Sequence, residues 1–213
     1  GYELARQAGH TITPLEPSLV PLVTKENWVK KVQGLTLKNV EAAIYVDNKK
    51  ISSKFGEMLF THFGISGPII LTLSRDAIDF LRKTTVTVSI NLKPALNRAE
   101  LKERLSRDLK RYEKKLFKNA LNDLLPRKMI PVFIELCGID PEKNVSQITR
   151  QERNTIVDTL TDLRITITGC KEKEAIVTRG GVSVNEINPK TMESKIIKGL
   201  FFAGEVIDVD GLT

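Results

Sequence analysis

Apolar and polar positions alternate through the first half of the chain, which is the period of a half-buried β-strand. Asp47 and Asn48 interrupt this alternation, and both residue types tolerate turn conformations. The pattern therefore predicts a hairpin of strands 36–46 and 50–62, and the β-branched run 86–92 predicts another strand. Four apolar residues would share one face of the first strand: Val40, Ala42, Ile44 and Val46.

Steps of three and four between apolar residues predict helices in other parts of the chain. A short helix is expected over residues 1–9, with His10 exposed to solvent just beyond it. Another is expected over 68–82, where Pro68 suits the first turn. Asn97 is a good N-cap for a long helix over 98–115.

The helical pattern continues to residue 163 and then gives way to strands again. Residues 164–170 and the run "EAIVTRGGVSV" are rich in β-branched side chains, and "GLFFAGEV" predicts a final strand. A helical block therefore interrupts a β unit, entering after residue 95 and leaving near residue 163. This order predicts an α+β fold.

Composition narrows the class of protein. The chain has 213 residues, 41% of them hydrophobic, and no run of apolar residues long enough to span a membrane. The sequence shows no secretory signal pattern, and its two cysteines, Cys137 and Cys170, have no metal-binding spacing. We expect a cytoplasmic protein with reduced thiols. Because the chain starts at Gly1 and not at Met, we also expect it to be a piece of a longer protein.

Basic residues exceed acidic ones, 33 to 26, for a net charge of +7. Two interpretations remain open. The basic residues of the helical block alternate with acids at helical spacing, which is typical of a solvated face with i,i+4 pairs. Alternatively, the block contacts nucleic acid or an acidic partner in a non-enzymatic binding module. The scarcity of aromatic residues favours the first interpretation.

The string "LFTHFGISGP" carries the first candidate chemistry. A strand ends near His62, and a glycine-containing turn through Ser66 and Gly67 then opens a helix. Free N–H groups at a helix start bind anions or oxygen-rich ligands, and histidine can transfer protons. The alternative is a tight turn with a structural histidine.

Two later strings are candidates for close approach to a ligand. Gly180 and Gly181 in "VTRGGVSVNEI" permit either a turn or a planar ligand against the backbone. In "GLFFAGEVIDVDG", Gly204 permits close approach, and Glu205 and Asp208 can accept hydrogen bonds from hydroxyl groups. The chain has no G-x-G-x-x-G, Walker or G-x-S-x-G motif and no zinc spacing, and we predict no metal site.

Taken together, several strings resemble one family, the BaiN-type or aminoacetone-oxidase-like bacterial flavoproteins that use NAD(P) and FAD. The resemblance covers nearly the whole chain but is loose over residues 97–163. Its most specific parts are "FTHFGISGP" and the sequence from "TMESK" through "GLFFAGE" to "DVDG".

The resemblance implies a nested plan. Residues 1–14 and 199–213 would be stubs of a split Rossmann-type FAD domain. Residues 15–95 and 164–198 would form an antiparallel β-barrel-like domain, and 96–163 a helical subdomain inserted into it. The chain would then be the cap of an FAD-dependent oxidoreductase. We expect it to be inactive alone and to use the remainder of its own FAD domain as partner, rather than nucleic acid or a membrane.

The resemblance also implies roles for individual residues. The last predicted strand would bring Gly204 and Glu205 near the flavin, with Asp208 and Gly211 close behind. The substrate, a small molecule, would meet a wall formed by the remaining candidates: His62, Ser66, Gly67, Gly180 and Gly181. NAD(P)H is a possible reductant, and the catalytic residues are not identified.

Overall fold

The computed structural model describes residues 1–81 and 83–209. Its helices and strands follow the predicted order, with a block of helices between two groups of strands. The elements are α1 (Tyr2–Gln7), β1 (Glu16–Ser18), β2 (Leu22–Thr24), β3 (Thr36–Val46), β4 (Lys49–Phe60), β5 (Gly64–Ser66), α2 (Pro68–Leu81), β6 (Val86–Asn91), α3 (Arg98–Arg111), α4 (Ile130–Cys137), α5 (Arg150–Thr161), β7 (Leu163–Cys170) and β8 (Val177–Arg179).

Six strands close into an antiparallel barrel in the order β2-β5-β4-β3-β6-β7. The predicted hairpin is confirmed: β3 pairs with β4 across Asp47 and Asn48, whose φ values of 48° and 65° suit a two-residue hairpin turn. The four apolar residues predicted to share a face of β3 are all buried. Together with the helices, the barrel confirms the predicted α+β class.

The chain divides into two compact units, Leu22–Cys170 and a smaller one made of Gly1–Pro21 and Lys171–Thr213. Residues 15–21 and 171–198, which we predicted to belong to the β domain, therefore lie in the smaller unit. The assignment of the terminal segments to an FAD domain stays a prediction.

The larger unit joins barrel and helices around one apolar core. The helical block connects β6 to β7, which are neighbours in the barrel. On the barrel side, α2 buries Ile69, Ile70 and Leu73. In the helical block, α3 buries Leu101 and Leu105 in the same core.

The predicted cap of α3 is confirmed, but its predicted end is wrong. The Asn97 side chain accepts hydrogen bonds from the N–H groups of Ala99 and Glu100, and the Glu100 carboxylate accepts one from the Asn97 N–H in a capping box. The helix ends at Arg111 and not at residue 115. Residues beyond it pair instead with the loop after α4, where the Val145 N–H donates to the Lys115 carbonyl.

The smaller unit is built from short elements. β1 pairs with β8, antiparallel, from Glu16 opposite Arg179 to Ser18 opposite Val177. A small apolar cluster lies beside them, consisting of Ala5, Val182, Ile187, Phe202 and Ile207.

The predicted last strand, "GLFFAGEV", is wrong as an element. Phe201 forms only an isolated bridge, with Glu193. Gly204 then takes a φ of 80° and begins a short 3-10 helix, Gly204–Val206. A strand needs a continuous neighbour for its backbone groups, and among the described residues this segment has one bridge.

Candidate functional site

The sequence-predicted site residues fall into two groups. His62, Ser66 and Gly67 belong to the larger unit, whereas Gly180–Gly181 and the 204–208 segment belong to the smaller one. Gly211 lies outside the described residues. Each group is therefore described within its own unit.

His62 lies at the tip of a tight turn between β4 and β5. Thr61 closes the turn, since its N–H donates to the Gly64 carbonyl and its hydroxyl accepts from the Gly64 N–H. The His62 ring is exposed and meets the Phe63 ring edge-on, with 4.9 Å between centroids. An exposed imidazole on a rigid turn is available to a ligand of the larger unit.

Gly67 sits where the chain passes from β5 into α2. Its φ is 93°, and a Cβ there would lie 2.9 Å from the backbone nitrogen of Leu59. Only glycine fits this approach. Ser66, half-buried at the end of β5, pairs with Leu59 across the sheet. This geometry supplies a structural reason for the glycine, and the substrate-side role of these residues stays a prediction.

Gly180 and Gly181 bring two distant segments of the smaller unit into backbone contact. A Cβ on Gly180 would lie 2.0 Å from the Pro14 carbonyl oxygen, and one on Gly181 would lie 2.5 Å from the Val206 carbonyl oxygen. The Gly181 N–H also donates to the Thr13 hydroxyl at 2.9 Å. Backbone packing therefore accounts for the glycine pair without a ligand.

The 204–208 segment has an exposed side at Gly204 and Glu205. Among the described residues, no atom outside Gly204 and its chain neighbours lies within 4 Å of its Cβ position, and the Glu205 side chain is exposed. The segment is fixed from behind, because the Asp208 N–H donates to Val182 and the Glu205 carbonyl accepts from the Tyr2 hydroxyl at 3.0 Å. The cofactor-side role that the resemblance implies for this segment stays a prediction.

A buried hydrogen-bond network centred on His10 was missed by sequence reasoning. The expected solvent exposure of His10 is wrong: the residue is 3% exposed. Its Nε2 lies 3.0 Å from the Ser194 hydroxyl and its Nδ1 lies 3.1 Å from a Glu186 carboxylate oxygen. The Phe202 ring packs edge-on against the imidazole.

The hydrogen bonds around Ser194 fix the direction of this network. The Ser194 oxygen accepts from the N–H groups of Ile196 and Ile197, so its hydrogen is free to point to His10 Nε2. His10 Nδ1 then donates to Glu186, which also accepts from the Thr11 N–H. Hydrogen bonding from Thr11 is the main cause that lowers the pKa of Glu186, and His10 adds to it. The side chains of His10, Glu186 and Ser194 all have hydrogen-bond partners, so the network fixes the loop that contains Ser194.

Cys137 and Cys170 are not joined by a disulfide, and burial raises the pKa of the Cys137 thiol to about 11. A thiol with so high a pKa is a weak nucleophile at neutral pH. Within residues 1–81 and 83–209, no three His, Cys, Asp or Glu side chains cluster as metal ligands would. In the same part of the chain, no helix has the length and apolarity to cross a membrane.

Comparison with known proteins places the chain in a family. Residues 16–183 match the family described as "HI0933-like protein barrel and H2TH domain". The proteins named "Ribosomal RNA dihydrouridine synthase" are 32% identical over 99% of the chain in Escherichia coli and 33% over 99% in Haemophilus influenzae. A "3-dehydro-bile acid delta(4,6)-reductase" of Clostridium scindens is 28% identical over 100% of the chain.

The chain spans about half the length of these relatives, covering 50%, 50% and 52% of them. The family match covers more than half of the chain and includes the whole barrel and the helical block. The protein belongs to the HI0933-like barrel and H2TH domain family.

Proposed function

We propose that the chain forms the barrel and helical part of a flavin-dependent reductase that acts on uridine in ribosomal RNA. The observation that carries this proposal is its similarity, along 99% of its length, to two proteins named for dihydrouridine synthesis in ribosomal RNA. The net charge of +7 supports it, because RNA is a polyanion. The cytoplasm is the proposed location.

Uridine becomes dihydrouridine by gaining two hydrogens across one carbon–carbon double bond. Flavins carry out hydride chemistry of this kind when bound, with a reduced nicotinamide nucleotide as the source of electrons. We propose that Gly204, Glu205 and Asp208 lie near the cofactor and that the remainder of the FAD domain is the partner. The proposed substrate-side wall consists of His62, Ser66, Gly67, Gly180 and Gly181.

The second candidate follows the narrower sequence resemblance, to BaiN-type flavoproteins. The bile acid reductase of Clostridium scindens supports it with 28% identity over the whole chain. In that case the substrate is a small unsaturated ketone instead of a base in RNA. The two candidates share the flavin and differ only in substrate.

One experiment tests both candidates. The complete protein that contains this chain is purified, supplemented with FAD, and incubated with NADH or NADPH and unmodified ribosomal RNA. We expect flavin absorbance and a gain of two hydrogens in a uridine, read by mass spectrometry of the digested RNA. Reduction of a steroid enone with untouched RNA would replace the first candidate by the second. A protein that stays colourless with added FAD would overturn both.

A further inference from the structure

A cleft between α3 and α5 gathers unpaired positive charge in the larger unit. It has a volume of about 180 Å³. The buried side chains of Leu105 and Val157 line its base. Its polar lining consists of Lys102 and Ser106 from α3 and of Arg150, Arg153 and Asn154 from α5.

The three cations of this cleft are distinguished by lining one cavity together, with no acidic side chain among the described residues that line it. Within residues 1–81 and 83–209, no ion pair is formed by Lys102, Arg150 or Arg153. Three acids of α3 and α5 form ion pairs with other cations: Arg98–Asp158, Arg104–Asp108 and Lys143–Glu152. The cleft therefore holds a net positive charge that the fold does not compensate.

The N-terminal end of α5 is capped, so an anion in the cleft would be bound by side chains and not by helix N–H groups. Thr149 caps the helix, and the Glu152 carboxylate reaches back to the Thr149 N–H in a capping box. The Thr149 hydroxyl accepts a hydrogen bond from the Glu152 N–H. Because the cap engages this part of the helix end, an anion in the cleft would be held by Arg150 and Arg153.

We propose that this cleft binds a backbone phosphate of the RNA substrate, a role that rests on the proposed function. Arginine presents a planar fork of donors that matches phosphate, and lysine adds a compact charge. The Asn154 amide is a neutral donor at the same place. The cleft holds several times the roughly 30 Å³ that one water occupies, which leaves room for a phosphate group. The helical block thus positions the RNA while the reaction occurs elsewhere.

The test uses the complete protein and a fluorescently labelled fragment of unmodified ribosomal RNA. The cleft variant carries Lys102→Gln, Arg150→Gln and Arg153→Gln. The matched control carries Arg107→Gln, Lys114→Gln and Arg127→Gln. The control removes one lysine and two arginines from the same helical block, and these residues are also exposed and form no ion pair within the described residues.

We expect the cleft variant to bind the RNA about tenfold more weakly or worse, with a salt dependence reduced by about one in slope because one phosphate contact is lost. The control should stay within about twofold of wild type, because none of its three residues lines the cleft. Circular dichroism and the melting temperature should be unchanged in both variants, since all six positions are exposed.

Equal weakening of RNA binding in the two variants would overturn the cleft proposal, because it would show that affinity depends on overall charge and not on the cleft. An acidic peptide that binds wild type as tightly as the RNA, with the same loss in the cleft variant, would also overturn the phosphate assignment. Uridine reduction by the complete protein is measured in parallel. If reduction occurs but the cleft variant binds RNA like the control, the cleft proposal fails and the proposed function stands. If wild type binds RNA through the cleft but reduces no uridine, the cleft stands and the reaction fails.

Discussion

Different interactions stabilise the interior of each of the two units. The larger unit, Leu22–Cys170, buries one continuous apolar core that runs through the barrel and the helices. The smaller unit has a short apolar cluster and relies on the His10 network and on backbone contacts at Gly180–Gly181. A core of many side chains tolerates small changes, whereas a few specific contacts do not.

The comparison also concerns the distance along the sequence that each contact spans. Hairpins and helices of the larger unit arise from neighbouring residues. In the smaller unit, His10 meets Ser194 across 184 positions and Tyr2 meets Glu205 across 203. Single changes in the smaller unit should therefore loosen it without disturbing the barrel.

The largest expected effect comes from the barrel core. Phe60→Ala removes a fully buried ring that meets Trp28 edge-on, with 5.8 Å between centroids. We expect the free energy of unfolding to fall by about 3–5 kcal/mol, from lost burial and the cavity left behind. Fluorescence of Trp28, the single tryptophan, reports urea unfolding of the larger unit.

The matched control is Phe55→Ala on the same strand, where the ring is 63% exposed. This change should alter stability by no more than about 0.5 kcal/mol. Similar losses in the two variants would mean that burial in the barrel core does not dominate the stability of this unit.

In the smaller unit, Gly180→Ala should have the next largest effect. Alanine in the left-handed region costs about 1–2 kcal/mol, and its Cβ would collide with the Pro14 carbonyl, adding about 1–3 kcal/mol of strain. Hydrogen exchange at the Val182 and Asp208 amides, which are bonded beside this contact, measures the loosening.

Gly199→Ala separates the two causes. Gly199 has a φ of 81°, close to the 92° of Gly180, but in the described part of the chain no atom beyond its own neighbours in sequence lies within 4 Å of its Cβ position. It should show the conformational cost alone. If the two variants exchange equally fast, the close contact with Pro14 contributes nothing.

The helices and the β3–β4 hairpin of the larger unit could be predicted because they arise from neighbouring residues, whereas closure of the barrel, with Leu22 opposite Cys170, is not local. The alternation in β3, the Asp47–Asn48 turn and the Asn97 cap each follow from residues within a few positions. The end of α3 was misjudged because Lys115 bonds to Val145, and no local signal announces that contact.

The smaller unit and the candidate sites were less predictable for the same reason. His10 follows a helix and reads as exposed, and only its distant partners Glu186 and Ser194 account for its burial. The cleft residues Lys102 and Arg153 alternate with acids in sequence. Which cations lack a partner depends on the packing of α3 against α5, and periodicity alone does not give it.

A smaller effect is expected from Ser194→Ala, which tests the His10 network. The change leaves the Ile196 and Ile197 N–H groups and His10 Nε2 without their partner. Unmade hydrogen bonds of buried groups cost about 1–3 kcal/mol. Faster exchange of the 194–202 amides, with unchanged Trp28 fluorescence, would place the loss in the smaller unit.

Thr191→Ala is the control for this variant. Its hydroxyl accepts one N–H, from Glu193 at 3.3 Å, at an exposed position. Hydrogen exchange of the 194–202 amides should barely change in this variant. If Thr191→Ala loosened the loop as much as Ser194→Ala, the buried network would not be what holds it.

The smallest expected effect concerns the acid dependence of the smaller unit. Hydrogen bonds from Thr11 and His10 lower the pKa of Glu186 below the ordinary value of 4.5. A carboxyl with a lowered pKa stabilises the fold above its unfolded pKa, and this contribution disappears as the pH falls through the folded pKa. The stability difference between wild type and Glu186→Gln should therefore be largest at neutral pH and shrink below pH 4.5.

Hydrogen exchange or denaturant unfolding, repeated from neutral pH down to about pH 3, measures that difference directly. Glu174→Gln is the control, since its exposed carboxylate has no ion pair in the described part of the chain. Its difference from wild type should be small and nearly constant with pH. A Glu186→Gln difference that is equally flat would show that the charge of Glu186 does not stabilise the network. The contrast between the smaller unit and the barrel would then be one of packing and neutral hydrogen bonds, without a contribution from the charge of Glu186.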